Sequence, residues 1–147
     1  MTAEEFYEEG AFLLFKQQFE EALEYLNKAL ELEPNFVKAL HARAAIFLKF
    51  DRLDEAERDL LKALEEEPEN PRLHYRLGQV YYRKKELEKA LESFNTAINL
   101  EPLYAAAFMA RSQVYRDMGE EELADLDLDK AVSVQRATAQ AKKIVDF

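Results

Sequence analysis

The sequence predicts an all-α solenoid. Three observations predict it: a segment that returns every 34 residues, a proline at one place in the first three copies, and helical spacing of apolar residues between the prolines. The text from Ala22 to Asn35 comes back from Ala56, from Ala90 and, worn, from Ala124, with no insertion between copies. A fixed period of this kind marks stacked structural units.

Framed from Ala3, the units run 3–36, 37–70, 71–104 and 105–138, and each carries two helical patterns, A then B. In the third, Leu73, Leu77, Val80, Tyr81 and Lys84 recur at intervals of three and four. Leu87, Ala90, Leu91, Phe94, Ala97 and Ile98 then do the same. Pro34, Pro68 and Pro102 fall where helix B must stop, because proline lacks a backbone donor and disfavours the α conformation in its predecessor. Ala22, Ala56, Ala90 and Ala124, with Ala29, Ala63, Ala97 and Ala131, hold helix B to one methyl at two depths, which predicts close helix approach. Leu26, Leu60, Phe94 and Leu128 are the expected knobs between them. The fourth unit has Gln135 and Arg136 where the proline would stand, and Ala137, Ala141, Ile144 and Val145 continue one stripe. That predicts a capping helix over about 136–147, backed by Lys142, Lys143 and Asp146, with the start of a further unit as the rival reading.

Composition excludes several functions. A net charge of −10 repels phosphate backbones and anionic lipid, so neither DNA nor a membrane is the expected partner. Without cysteine there is no disulfide, thiolate metal site or cysteine nucleophile. No secretory leader or membrane-length apolar run is present in the sequence, which gives a cytoplasmic expectation. His41 and His74 sit on successive A helices and are close enough in the pattern to imagine a metal pair, but packing or rim roles are the expectation. No catalytic, cofactor or metal site is predicted, and no phosphate-cradling glycine loop occurs.

These residues resemble the tetratricopeptide repeat family. Phe6, Gly10, Ala22, Ala29 and Pro34 of the first unit, and Gly78, Tyr81, Ala90, Phe94, Ala97 and Pro102 of the third, stand on its pattern. The resemblance covers nearly the whole chain and implies a right-handed α-α superhelix of four helix-turn-helix repeats plus a C-terminal capping helix. There are departures. The eighth place holds Ala44 and Ser112, and the seventh holds Arg43 and Arg111, whose stems are expected to pack while their heads reach water. The A-to-B turn, often glycine in the family, holds Gln17, Asp51 and Lys85, with only Gly119 conforming.

The resemblance also implies that the A helices line a concave groove that takes a peptide or helix of another protein. Its lining positions here include Tyr7, Leu14, Lys38, His41, Lys49, Arg72, Tyr75, Arg76, Gln79, Tyr82, Arg83, Met109, Gln113 and Arg116. Across all the lining positions six residues are basic and three (Glu4, Glu8, Asp117) acidic, a local +3 in a chain of −10. A cationic trough in an anionic shell favours an acidic segment or a free C-terminal carboxylate. Arg72 and Arg76, four apart on one helix, are placed to grip one carboxylate together. A chaperone-tail clamp found in one subgroup is only half present, because Tyr7, Ala11 and Ala42 replace its polar residues. The expected function is a non-enzymatic scaffold or adaptor. Self-assembly into oligomers is the alternative, and single-stranded RNA binding ranks lower because the shell is acidic.

Overall fold

The computed structural model describes residues 1–145, all of them in helices and short turns. Eight helices follow one another: α1 (Ala3–Phe15), α2 (Phe19–Leu32), α3 (Val37–Lys49), α4 (Leu53–Glu66), α5 (Pro71–Arg83), α6 (Leu87–Leu100), α7 (Ala105–Asp117) and α8 (Glu121–Val145). Each A helix packs on its own B helix, and each B helix packs on the next A helix. Residues 3–36, 37–70, 71–104 and 105–138 each hold one such hairpin, except that α8 runs beyond the last.

Local chemistry sets the ends. Thr2 caps α1 in a reciprocal box with Glu5, and Asn70 caps α5 with Pro71 at its first position. Every A-to-B turn has one residue of positive φ: Gln17 (62°), Asp51 (60°), Lys85 (64°) and Gly119 (82°). Side chains in this left-handed region cost roughly 1–2 kcal/mol each, and glycine escapes that cost while losing some chain entropy. Lys85→Gly is therefore expected to raise the melting temperature by about 3 °C in a thermal scan. A drop would contradict the strained turn.

The core forms where alanine lets helices close. Ala22, Ala29, Ala56, Ala63, Ala90, Ala97 and Ala124 are fully buried, and Leu26, Leu60 and Phe94 fill the spaces between them. Small residues on helix A match these knobs. A Cβ at Gly78 would lie 2.5 Å from Phe94 Cε1, whereas Gly10 and Ala44 occupy the same place in units whose knob is leucine. Gly78→Ala is expected to cost about 1–3 kcal/mol by overpacking, and Gly78→Ala/Phe94→Leu to recover most of it in urea denaturation. Ser112 is tolerated at this place because its hydroxyl donates to the Ala124 carbonyl at 2.7 Å.

Three expectations are corrected. Leu128 is not a buried knob: it is 40% exposed, because no further A helix covers α8 among the described residues. The segment from residue 136 is not a separate capping helix; it continues α8 to Val145, and residues 135–143 are exposed. Asp146, assigned to that cap, lies outside the described residues. The third concerns Arg43 and Arg111, whose half-buried heads are bound by carboxylates between helices instead of being left to water. Arg43 donates through Nε and Nη2 to both oxygens of Asp59 at 2.8 Å, and through Nη1 to Asn27 at 3.0 Å. Arg111 repeats this with Asp127 at 2.7 Å and Asn95 at 2.9 Å. Each guanidinium joins three successive helices, B, A and B. At the junction between the second and third units the same places hold Leu61, Leu77 and Ser93.

Candidate functional site

The A helices α1, α3, α5 and α7 are neighbours along one face of the stack. Their C-terminal halves leave a cavity of about 180 Å³ lined by Leu48 of α3, by Gln79, Tyr82 and Arg83 of α5, and by Ala110 and Gln113 of α7. Phe94 of α6 forms its floor. Helical spacing of three and four puts Arg72, Tyr75, Arg76, Gln79, Tyr82 and Arg83 on one side of α5, so α5 contributes most to this surface.

The centre of the face is a polar chain on α5. Arg76 Nη1 donates to Gln79 Oε1 at 2.8 Å, and Gln79 Nε2 donates to the Tyr75 hydroxyl at 3.1 Å. Arg76 Nε is buried and makes no hydrogen bond among the described residues. The Arg72 guanidinium lies 5.5 Å from the centre of the Tyr104 ring, and Tyr104 packs on Tyr75 with ring centres 5.1 Å apart. His41 of α3 belongs to the same cluster. Burial, then the charges of Arg76 and Arg72, lower its pKa from 6.5 to about 4, with Glu67 opposing. Its imidazole is neutral at pH 7, and three nitrogen-bearing side chains share one place with a single opposing carboxylate.

Three of the four other basic residues are already engaged. Arg83 donates to Asp51 at 3.0 Å, across from α5 to the turn after α3. Arg116 donates to Glu121 at 2.6 Å and to Asp125 at 3.5 Å. The Lys49 ammonium sits 5.3 Å from the centre of the Phe19 ring, at the turn edge of the hairpins. Lys38 is exposed. Asp117 accepts from the Tyr82 hydroxyl and from Gln113 Nε2, which sets both side chains. The Asp117 carboxyl is held below the usual carboxylate range by those two bonds.

The remaining predicted residues fall into two groups. Tyr7 and Leu14 are half-buried against the first core cluster, Tyr7 edge-on to Phe36 at 5.3 Å, so much of their surface is spent on packing α1 to α3. Met109 is exposed, with Gln135 Nε2 4.0 Å from its sulfur. The two histidines do not meet. His74 hydrogen-bonds the Pro68 carbonyl at 2.8 Å and lines a second cavity with Leu61, Leu77 and Lys89, away from the Arg72 and Arg76 cluster that surrounds His41. Among the described residues no three His, Asp or Glu side chains are grouped to hold a metal, and no helix is long and apolar enough to cross a membrane.

Tyr104 is a member of the cluster that the groove positions omit. It lies in the turn before α7, outside any A helix, and its ring bridges Tyr75 and Arg72. Its signal in the sequence is only that it is aromatic at the thirty-fourth place, as is Phe36 in the first unit.

Four models of the tetratricopeptide repeat family match the chain, at residues 3–36, 25–58, 47–114 and 105–138. No curated protein sequence matches. Among solved structures, one titled as a crystal structure of MamA superposes with a TM-score of 0.85 at 22% identity, covering 94% of this chain and 81% of that one. MamA from Desulfovibrio magneticus RS-1, from residue 41 to its end, gives 0.84 at 24% identity, covering 92% and 76%. At these identities the likeness shows the fold alone. Four registered hairpins, with alanines at two depths of each B helix and family matches from residue 3 to residue 138, place the chain in the tetratricopeptide repeat family of protein-interaction scaffolds.

Proposed function

We propose that the face made by α3, α5 and α7 binds an acidic segment or helix of a protein partner, with a carboxylate received between Arg72 and Arg76 beside His41. One observation carries this reading: Arg72 and Arg76 both act on His41, so two permanent cations converge on one half-buried place that only Glu67 opposes. An arriving carboxylate takes charge-assisted hydrogen bonds from the Arg72 and Arg76 guanidinium groups, each about twice as strong as a neutral one. Tyr75 and Tyr104 supply flanking apolar surface of the kind that dominates interface energies. The adjoining cavity beside Gln79 and Tyr82 accepts one side chain of the same segment.

The engaged arginines give the face its limits. Arg83 and Arg116 keep their own carboxylates, so the attraction is centred on the α5 N-terminal half and does not run along the whole groove. The reading includes no catalysis and no cofactor. A cytoplasmic setting is proposed with it, as the place where such adaptors meet acidic tails.

Panning a random peptide library against the wild-type chain tests the reading. Recovered peptides are expected to be rich in Asp and Glu, and Arg72→Glu/Arg76→Glu is expected to lose them by roughly a hundredfold or more, as two charge-assisted contacts turn repulsive. Neutral or basic peptides that bind both proteins equally would overturn it.

A further inference from the structure

We infer that α8 is a self-pairing helix that joins two copies of this chain antiparallel, through a stripe of Glu121, Asp125, Leu128, Val132, Arg136, Ala139 and Lys143. None of these residues lies on α3, α5 or α7, and the surface meets the groove only where Arg116 of α7 donates to Glu121 and Asp125.

The first argument is what the face is built to take. Leu26 with Leu30, Leu60 with Leu64 and Phe94 with Ile98 occupy corresponding places on α2, α4 and α6, and the next repeat's A helix lies on that side of each. Leu128 and Val132 occupy those places on α8 and are 40% and 38% exposed. The face has the relief that seats a helix in three earlier instances.

The second argument is length. Val134 is the last buried residue of α8 among those with described surroundings, and the helix continues to Val145. Residues 136–143 are all exposed and extend about 12 Å at 1.5 Å per residue. Tertiary packing supplies most helical stability in proteins, and a partner lying along these exposed turns adds it.

The third argument selects the partner. From Glu121 to Asp129 α8 carries Glu121, Glu122, Asp125, Asp127 and Asp129 with no basic residue. From Lys130 to Val145 it carries Lys130, Arg136, Lys142 and Lys143 with no acidic one. Two such helices side by side in parallel would set acid against acid. Antiparallel about Val132, Glu121 faces Lys143 of the second copy, Asp125 lies at the same cationic end, and Val132 meets its own equivalent. Leu128 then falls against Arg136 and Ala139, and the small Ala139 admits close approach. Arg116 already fixes Glu121 and Asp125 on this edge of α8. The surface is self-complementary under a two-fold axis, as a closed dimer requires.

Sedimentation equilibrium of the full chain over a range of concentrations tests this. Wild type is expected to approach twice the mass of one chain and to dissociate on dilution, more readily at high salt. Arg136→Glu/Lys142→Glu/Lys143→Glu, which alters only exposed residues, is expected to raise the dissociation constant about tenfold or more while keeping its circular dichroism. Mixing it with Glu121→Lys/Asp125→Lys is expected to restore a dimer of one copy of each. If the triple variant fails to fold, Val132→Asp gives the same reading. A wild type that stays monomeric at every concentration, or an assembly that these variants leave intact, would overturn the proposal.

Discussion

Arg43→Leu is expected to lower stability by about 3–5 kcal/mol, because it strands a carboxylate inside the fold. Asp59 is 5% exposed and takes both its close hydrogen bonds from Arg43, which also holds Asn27 of the preceding unit. Removing the guanidinium leaves Asp59 charged, buried and unpaired. Arg111→Leu is expected to act likewise through Asp127 and Asn95. The chain also contains its own replacement. At the junction of the second and third units, Leu61, Leu77 and Ser93 stand in the same three places, so a packed apolar junction is compatible with this backbone. Asn27→Leu/Arg43→Leu/Asp59→Ser is therefore expected to fall within about 1–2 kcal/mol of wild type, since exchanging a whole buried pair is often near neutral. Hydrogen exchange of α3 and α4 reads both results locally, which suits a solenoid whose stability sums over units. A single substitution as mild as the triple one would mean that the pair contributes little.

His41 gives the second large effect, and it depends on pH. Its folded pKa of about 4 lies below the ordinary 6.5, so the folded state resists protonation. The stability it permits is fully present above pH 6.5. Between about 6.5 and 4 the unfolded chain binds the proton first, and stability falls as pH falls. The loss is about 2–3 kcal/mol across that window, after allowance for partial exposure. His41→Gln is expected to flatten this part of the urea-midpoint profile, leaving the carboxylate titrations below it. An unchanged slope would mean that the imidazole is not confined by burial and by Arg76 and Arg72.

The fold was legible because its core positions repeat. Alanine at two depths, a knob between them and proline after helix B each recur on one 34-residue period, and any single copy could have misled where the set could not. The arginines escaped for a related reason. Asn27, Arg43 and Asp59 are spaced by 16 residues, and their second appearance as Asn95, Arg111 and Asp127 comes 68 residues on, two units away. A search at twice the period would have found the pairing that a search at one period hides. Exposure of Leu128 could not be read from α8 itself, because burial at that place is decided by the helix that follows.

The site was legible only in part. Helical spacing put Arg72, Tyr75, Arg76 and Gln79 on one face of α5, and the polar chain among them follows from that spacing. The engagement of Arg83 with Asp51, and of Arg116 with Glu121 and Asp125, was not legible, because those carboxylates sit in a turn and on a B helix whose approach only packing decides. The trough counted from sequence is thus narrower in charge than its residue list suggests, and Tyr104 enters it from a connecting turn.

The most direct test of the central claim uses the fact that the chain has two histidines. An NMR titration of both imidazoles, alone and with an acidic peptide recovered by panning, reports where a carboxylate arrives. A carboxylate between Arg72 and Arg76 is predicted to move the His41 pKa upward from about 4, as it offsets two of the charges that depress it. An unmoved His41 at saturating peptide would contradict a binding centre at that place.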